Sequence, residues 1–181
     1  IAKFKELYAS IEELSLVSDY QTEALNAVEL VAFAGRGQRG AERFYKDYYM
    51  PIDKECFVAL MTEFGKLIPE NLQPAFYKEQ LGKYGTTEAW ADSLFANSIF
   101  TDEVRMANLG DDYHDILQMD PASQYYLQMQ NWALPHLNKA RALNRELQLL
   151  YRTYMRGQMD FAPDRTVYYP DANLTLRVSY G

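Results

Sequence analysis

The chain has 181 residues, of which 48% are hydrophobic and 24% charged, so its length and composition are those of one soluble globular domain rather than a disordered segment. Its net charge of −7 repels a phosphate backbone, and its basic residues are scattered among acids along the sequence, so we expect neither a basic stripe nor a nucleic-acid partner. The single cysteine, Cys56, has no partner for an internal disulfide and is predicted to be a small core residue. No segment resembles a signal peptide or a membrane span.

Apolar residues at three- and four-residue spacing predict helices in the first part of the chain. The first pattern predicts one long helix or two stacked helices, and its residues are Phe4, Leu7, Tyr8, Ile11, Leu14, Val17, Ala24, Val28, Val31 and Phe33. Met50-Pro51 interrupts the pattern, and Asp53 is predicted to cap the next helix, which ends before Pro69.

Four further helices are predicted between Pro74 and Ala162. The first runs from Pro74 to Lys83, the second begins at Thr87, and a third over 102–109 is expected to have Thr101 as its cap. Asp120-Pro121 is a helix start with proline at the first helical position, and the pattern after it continues for close to forty residues. Pro135 is expected to kink or split that last helix. Residues 1–162 are therefore predicted to be one all-α, multi-helix bundle.

The segment Tyr168–Gly181 has a different period. Leu174, Leu176 and Val178 alternate with polar residues, which predicts a half-buried strand, and Arg177 on the opposite face is expected to face solvent or a sheet neighbour. A lone strand leaves its backbone donors and acceptors unpaired. We therefore expect residues 163–181 to return toward a sheet outside this chain, and the chain to be part of a larger protein.

Two motifs that suggest binding sites have simpler interpretations. Gly35–Gly40 matches the dinucleotide fingerprint by letter, but a helical pattern rather than a strand precedes it, so a turn between helices is the better interpretation. Asp111–Asp115 contains carboxylates around His114, but Gly110 followed by aspartates is also typical of a helix start. The other histidine, His136, has no acidic neighbour, so no metal site and no cofactor is predicted.

Catalytic motifs are absent from the sequence: there is no Gly-x-Ser-x-Gly elbow and no Ser-x-x-Lys. The chain itself is predicted to catalyse nothing, and no catalytic, cofactor-binding or metal residue is assigned. Fifteen tyrosines leave a second interpretation open, because tyrosines such as those at 45, 48, 49, 125 and 126 could dock a partner as well as pack a core. Asn173-Leu-Thr175 matches a glycosylation acceptor and is taken as incidental.

Three stretches of the chain, Arg43–Lys54, Leu94–Asp102 and Tyr169–Gly181, together resemble the helical insertion domain of the bacterial dipeptidyl-peptidases of serine peptidase family 46. The resemblance implies a parent enzyme with a chymotrypsin-like double barrel and a Ser/His/Asp triad, which releases dipeptides from the free N-terminus of peptides. It implies that the triad lies outside these residues, with residues 1–162 as the helical cap over the active-site cleft. A periplasmic or cell-surface location is expected, and the family is compatible with a homodimer. The competing interpretation is a non-enzymatic helical interaction module.

Overall fold

A computed structural model describes residues 1–36, 39–110 and 113–162. Within these ranges the chain forms nine α-helices and no strand, which confirms the helical part of the predicted fold. In chain order the helices are α1 Ala2–Asn26, α2 Glu29–Ala34, α3 Ala41–Asp47, α4 Met50–Leu67, α5 Ala75–Tyr84, α6 Thr87–Asn97, α7 Glu103–Ala107, α8 Tyr113–Met119 and α9 Pro121–Asp160. The strand predicted over 168–181 lies outside the described residues.

The core is formed where the inner halves of α1 and α9 meet the shorter helices. Its fully buried side chains are aromatic and aliphatic, and the largest are Phe33, Phe57, Phe64, Phe95, Phe100, Leu30, Met61 and Ile68. Phe57 is surrounded by three aromatic rings, those of Trp90, Phe95 and Tyr125, at centroid distances of 5.1 to 6.1 Å. Edge-to-face contacts of this kind add to the free energy gained from burial. We call this packed region the head.

The two long helices extend beyond the head as a pair. α1 and α9 pack antiparallel, because the buried residues Val17 and Ala24 of α1 and Ala122 and Met129 of α9 lie in the head, whereas Phe4 lies against the distal half of α9. We call this pair the arm, and its residues are 1–16 and 138–160. Sequence periodicity predicted both helices but not that they would pair.

Two of the predicted helix caps are wrong. α4 begins at Met50, three residues before Asp53, and the Asp53 carboxylate instead accepts hydrogen bonds from the start of α2. α7 is capped by Asp102, whose Oδ1 accepts from the Arg105 amide at 3.0 Å, because Thr101 is already bonded to the Ser98 carbonyl at the end of a 3-10 turn. Local sequence predicts where a helix begins, but it does not predict which distant group a polar side chain bonds.

Pro135 does not split α9, which runs without interruption for 40 residues. Proline removes one backbone hydrogen bond, so the carbonyl of Asn131, four residues earlier, loses its helical donor. Asn131 and Pro135 are both exposed, and water can therefore satisfy that carbonyl. The cost of the proline is smaller at this surface position than it would be within the core.

Candidate functional site

The arm brings the first turns of the chain against the last long helix. Phe4 contacts Tyr151 and Tyr154 edge-to-face, with centroids 4.9 and 6.0 Å away, and the hydroxyls of Tyr8 and Tyr151 hydrogen-bond. Lys3 forms an ion pair with Glu146. The first turns of α1 and the last turns of α9 therefore lie side by side at the end of the arm.

The second feature is a cleft of about 580 Å³ in the head, formed by α5, α6 and the start of α9. Trp90 and Tyr125 form its buried floor, and the Tyr125 hydroxyl points away toward the Met61 sulfur at 3.5 Å. Amide and charged side chains line its mouth: Glu79, Gln80, Lys83, Asn97, Gln124 and Gln128. An aromatic floor with amide groups around it suits a polypeptide segment, because amides both donate to and accept from a peptide backbone.

The cleft contains a hydroxyl pair but no nucleophile with its base. The Ser93 hydroxyl donates to the Tyr84 hydroxyl at 2.9 Å, and this bond, with Lys83 nearby, lowers the pKa of Tyr84. Among the described residues His114 packs on Tyr113 and His136 on Trp132, and neither hydrogen-bonds to a serine or to Cys56. The described part of the chain therefore holds no Ser/His pair for acyl transfer.

Two buried aspartates hold the walls of the head in place. Asp53 Oδ1 accepts from the Glu29 amide at 2.6 Å, and Oδ2 accepts from the Leu30 amide at 2.9 Å and from the Tyr48 hydroxyl at 3.3 Å. Asp53 thus satisfies the first amides of α2 from another helix. Burial raises its pKa above the usual range, although the hydrogen bonds oppose the shift.

Asp120 has a similar role at the start of α9. Its Oδ1 accepts from the amides of Ala122 and Ser123 and from the Ser98 hydroxyl, and its Oδ2 accepts from the Ile99 amide at 2.7 Å. Burial raises the pKa of Asp120 as well. One carboxylate therefore joins the end of α6 to the start of α9, next to the cleft.

The pKa of Asp53 gives a pH-dependent prediction. Because burial holds the folded-state pKa of Asp53 above that of a solvated aspartate, the folded chain binds this proton more tightly than the unfolded chain does. The stability that this proton contributes is present at pH values below the pKa of the unfolded chain and is lost as the pH rises through the folded pKa. We expect the free energy of unfolding of the wild type, minus that of Asp53→Asn, to fall from pH 4 upward in urea titrations.

Asp92→Asn is the control for this titration, because it removes one negative charge from a side chain that is 67% exposed. A wild-type-minus-variant difference for Asp53→Asn that rises with pH would contradict the predicted direction. So would a difference no steeper than that of the control.

Gly35–Gly40 and Asp111–Asp115 are the two sequence motifs that suggested binding sites. Gly35 follows helix α2 rather than a strand, as predicted, and a Cβ at Gly35 would lie 2.3 Å from the Tyr126 ring. Asp111 and Asp112 lie outside the described residues. Within the described ranges no three side chains of His, Cys, Asp or Glu lie close enough together to hold a metal ion. Cys56 is half-buried rather than fully in the core.

Most of the tyrosines proposed for docking are packed. The Tyr45 hydroxyl donates to the Phe100 carbonyl at 3.0 Å, and burial, with Glu103 and Asp102 nearby, raises the pKa of Tyr45 to about 12. Tyr125 is 4% exposed, and Tyr48 is tied to Asp53. Tyr49, with 62% of its surface exposed, is the member of the set that remains free to contact a partner.

The expectation that no basic stripe exists is wrong. The distal half of α9, residues 139–160, contains five cationic side chains and two carboxylates, although the net charge of the whole chain is −7. Arg141, Arg145 and Arg152 lie on one side of the helix, beside a surface groove of about 630 Å³ that Asn144, Gln148 and Leu149 also line. Sequence order hid this cluster because acidic and apolar residues stand between the arginines.

No helix in the described ranges is both long enough and apolar enough to cross a bilayer. The model of the family described as Peptidase S46 matches residues 11–181. The chain is 30% identical over 143 residues to an Asp/Glu-specific dipeptidyl-peptidase of Porphyromonas endodontalis, which covers 76% of this chain and 19% of that protein. It is 28% identical over 188 residues to a dipeptidyl-peptidase 7 of the same species, covering 98% of this chain and 22% of the relative.

The chain thus spans about a fifth of the length of the curated relatives that it matches. The fold is similar to part of a crystal structure of Porphyromonas endodontalis DPP11 in complex with the dipeptide Arg-Glu. The TM-score is 0.67 with 24% identity, over 98% of this chain and 30% of that one. The match of the family model to residues 11–181 agrees with the resemblance in the Arg43–Lys54, Leu94–Asp102 and Tyr169–Gly181 stretches. The chain belongs to the peptidase S46 family.

Proposed function

We propose that these residues form the helical cap of a serine-type dipeptidyl-peptidase, and that they control access to an active-site cleft whose triad lies outside them. The observation that carries this proposal is the arm. Its two helices run side by side, so a polypeptide that continued from both would hold the head at a single place while the head covers a cleft. Relatives named as dipeptidyl-peptidases support the reaction class.

The dimensions of the arm fit this role. The part of α1 that lies in the arm, residues 2–16, is about 23 Å long at 1.5 Å per residue, so the head stands away from the far end of the arm. A body held at that distance can restrict entry to unfolded peptide ends and help to exclude water during acyl transfer. The cleft between α5, α6 and α9 is a surface on which an entering peptide could rest.

In this proposal the cap positions the peptide and the residues outside the chain perform the chemistry. A change in the arm should therefore alter KM and the dependence on peptide length more than it alters kcat on a minimal substrate. We expect Phe4→Ala, made in the polypeptide that contains this chain, to raise KM for long peptides about three- to tenfold. The expected kcat for a dipeptidyl chromogenic substrate stays within about twofold. The substitution removes two ring contacts, each worth about 1 kcal/mol, and only part of that loss reaches KM because other contacts between α1 and α9 remain.

Phe161→Ala is the matched control, because Phe161 also lies at the end of the arm but is 90% exposed and has no ring contact among the described residues. KM should be measured for peptides of two to ten residues with both variants. If Phe4→Ala changes KM equally at every peptide length, or only as much as Phe161→Ala does, the cap does not control access. If no variant of the polypeptide releases dipeptides, the proposed reaction class is wrong and the helical interaction module takes its place.

A further inference from the structure

We propose that the stripe formed by Arg141, Arg145 and Arg152 binds an extended, acidic polypeptide segment, and that this segment belongs to the part of the enzyme outside these 181 residues. We call these three residues the arginine stripe. The acidic character of the partner follows from these three arginines and their surroundings. The source of the partner, in contrast, rests on the proposed cap function.

The arginine stripe is a single face of α9. At 100° per residue, positions 141, 145 and 152 fall within about 40° of one another around the helix axis. The residues that contact α1, among them Tyr151 and Tyr154, lie on another side. All three arginines are exposed, so the arm itself does not cover them.

The guanidinium groups of the arginine stripe have no carboxylate partner among the described residues. Arg141 donates only to the side-chain oxygen of Asn138 at 3.4 Å. The two carboxylates of the distal half of α9 are already engaged, Glu146 with Lys3 and Asp160 with Arg156. Three unpaired arginines on one helix face repel one another, and an acidic partner would relieve that repulsion.

The spacing of the arginine stripe favours an extended partner. Along the helix axis Arg141 and Arg145 are about 6 Å apart, and Arg145 and Arg152 are about 10 Å apart. Carboxylates at alternate positions of an extended chain share one face and recur about every 7 Å, and the long arginine stems can take up the remaining difference in spacing. The guanidinium fork binds carboxylates in pairs of hydrogen bonds, which gives such a register geometric specificity.

The groove beside the arginine stripe provides apolar contact as well as charge. Leu149 is 59% exposed and lines the groove together with the arginine stems. A mixed apolar and cationic groove suits a short polypeptide segment better than a nucleic acid, because a long run of phosphates would also meet the rest of a surface whose net charge is −7.

The position of the arginine stripe indicates the source of the segment. It lies within the arm, on the distal half of α9, and the relatives are about four times as long as this chain. A second copy of α9 would bring arginines against arginines. The remaining surface of the same enzyme is the nearest candidate, and an acidic segment there would latch the arm in one orientation.

The first test measures binding of the 181-residue chain to a fluorescein-labelled (Glu-Ala)4 peptide by fluorescence anisotropy. We expect R141Q/R145Q/R152Q to raise Kd at least tenfold, and added salt to weaken binding of the wild type. K46Q/K66Q/K78Q removes the same charge from exposed lysines of the head and should change Kd by less than about twofold. Circular dichroism confirms that each variant is folded. No binding of (Glu-Ala)4, equal losses in both triple variants, or equal binding of (Gln-Ala)4 would overturn the proposal.

The second test identifies the source. In the full polypeptide, R145K places a primary amine in the arginine stripe, and a zero-length carbodiimide joins that amine to a carboxylate in direct contact. We expect mass spectrometry to find a crosslink from position 145 to an acidic segment outside these 181 residues in the same subunit. If position 145 crosslinks only to another subunit, the segment does not come from the same subunit. If position 145 forms no crosslink while the native lysines crosslink normally, no acidic segment contacts the arginine stripe. Either result would overturn the proposed source. Tighter binding of the chain to phosphatidylserine vesicles than to (Glu-Ala)4 would replace the polypeptide by a membrane surface. Each of these results is independent of how Phe4→Ala alters KM.

Discussion

Asp120→Ala should lower the free energy of unfolding of the chain by about 3 kcal/mol, the largest effect that we expect from a single polar substitution here. The carboxylate accepts from three backbone amides, those of Ile99, Ala122 and Ser123, and from the Ser98 hydroxyl. Asp120 is 5% exposed, so water cannot replace it without opening the head. Each buried donor left without an acceptor costs about 1–3 kcal/mol, and relaxation recovers part of the total.

Asp102→Ala is the control for Asp120→Ala, because Asp102 is also a helix N-cap but accepts from one exposed amide, that of Arg105. We expect it to cost about 1 kcal/mol, the usual value for a lost cap. Urea unfolding followed by circular dichroism measures both variants. If Asp120→Ala costs no more than Asp102→Ala, Asp120 is an ordinary cap and does not join α6 to α9.

The sequence predicted that Asp120 caps α9 but not that it bonds to residues at the end of α6. An aspartate before a proline at the first helical position identified the start of α9 correctly, and the apolar pattern predicted its length of close to forty residues. The bonds to Ser98 and Ile99 span more than 20 positions, and no local pattern carries them. For Asp53 the prediction of a local cap was wrong, because its bonds go to α2. Its position near a helix start was recognised, but its partners lie in another helix, so the local rule assigned it the wrong role.

In the candidate site, too, the sequence predicted single helical positions but not the arrangement of the helices. Trp90 and the Asp120-Pro121 start were identified as helical positions from sequence, but a cleft exists only because α5, α6 and α9 converge, and periodicity holds no information about convergence. The arginine stripe was missed because charge was judged along the chain instead of around a helix. Residues at spacings of four and seven share a face, and applying that rule to the basic residues of α9 would have found the stripe. The resemblance in three short stretches indicated the family, which the family model confirms.

Gly65→Ala should lower the free energy of unfolding by about 2 kcal/mol, against the usual preference of helices for alanine. Gly65 lies inside α4, where a Cβ would stand 2.2 Å from the Tyr77 hydroxyl oxygen. That hydroxyl is buried and donates to the Met61 carbonyl at 3.1 Å, so it has no free direction in which to move. The added methyl group must therefore displace Tyr77 from α4 or break its hydrogen bond.

Gly82→Ala is the matched control for Gly65→Ala, because Gly82 lies inside α5 and a Cβ there meets nothing within 4 Å. We expect it to raise the free energy of unfolding by about 0.5–1 kcal/mol, because alanine loses less backbone entropy than glycine. Tyr77→Phe removes the oxygen that the new methyl group meets, so Gly65→Ala should cost less in the Tyr77→Phe background than in the wild type. A double-mutant cycle by urea unfolding measures this coupling. If the cost of Gly65→Ala is the same in both backgrounds, the collision with Tyr77 is not its cause, and α4 and α5 are not packed as closely as the structure shows.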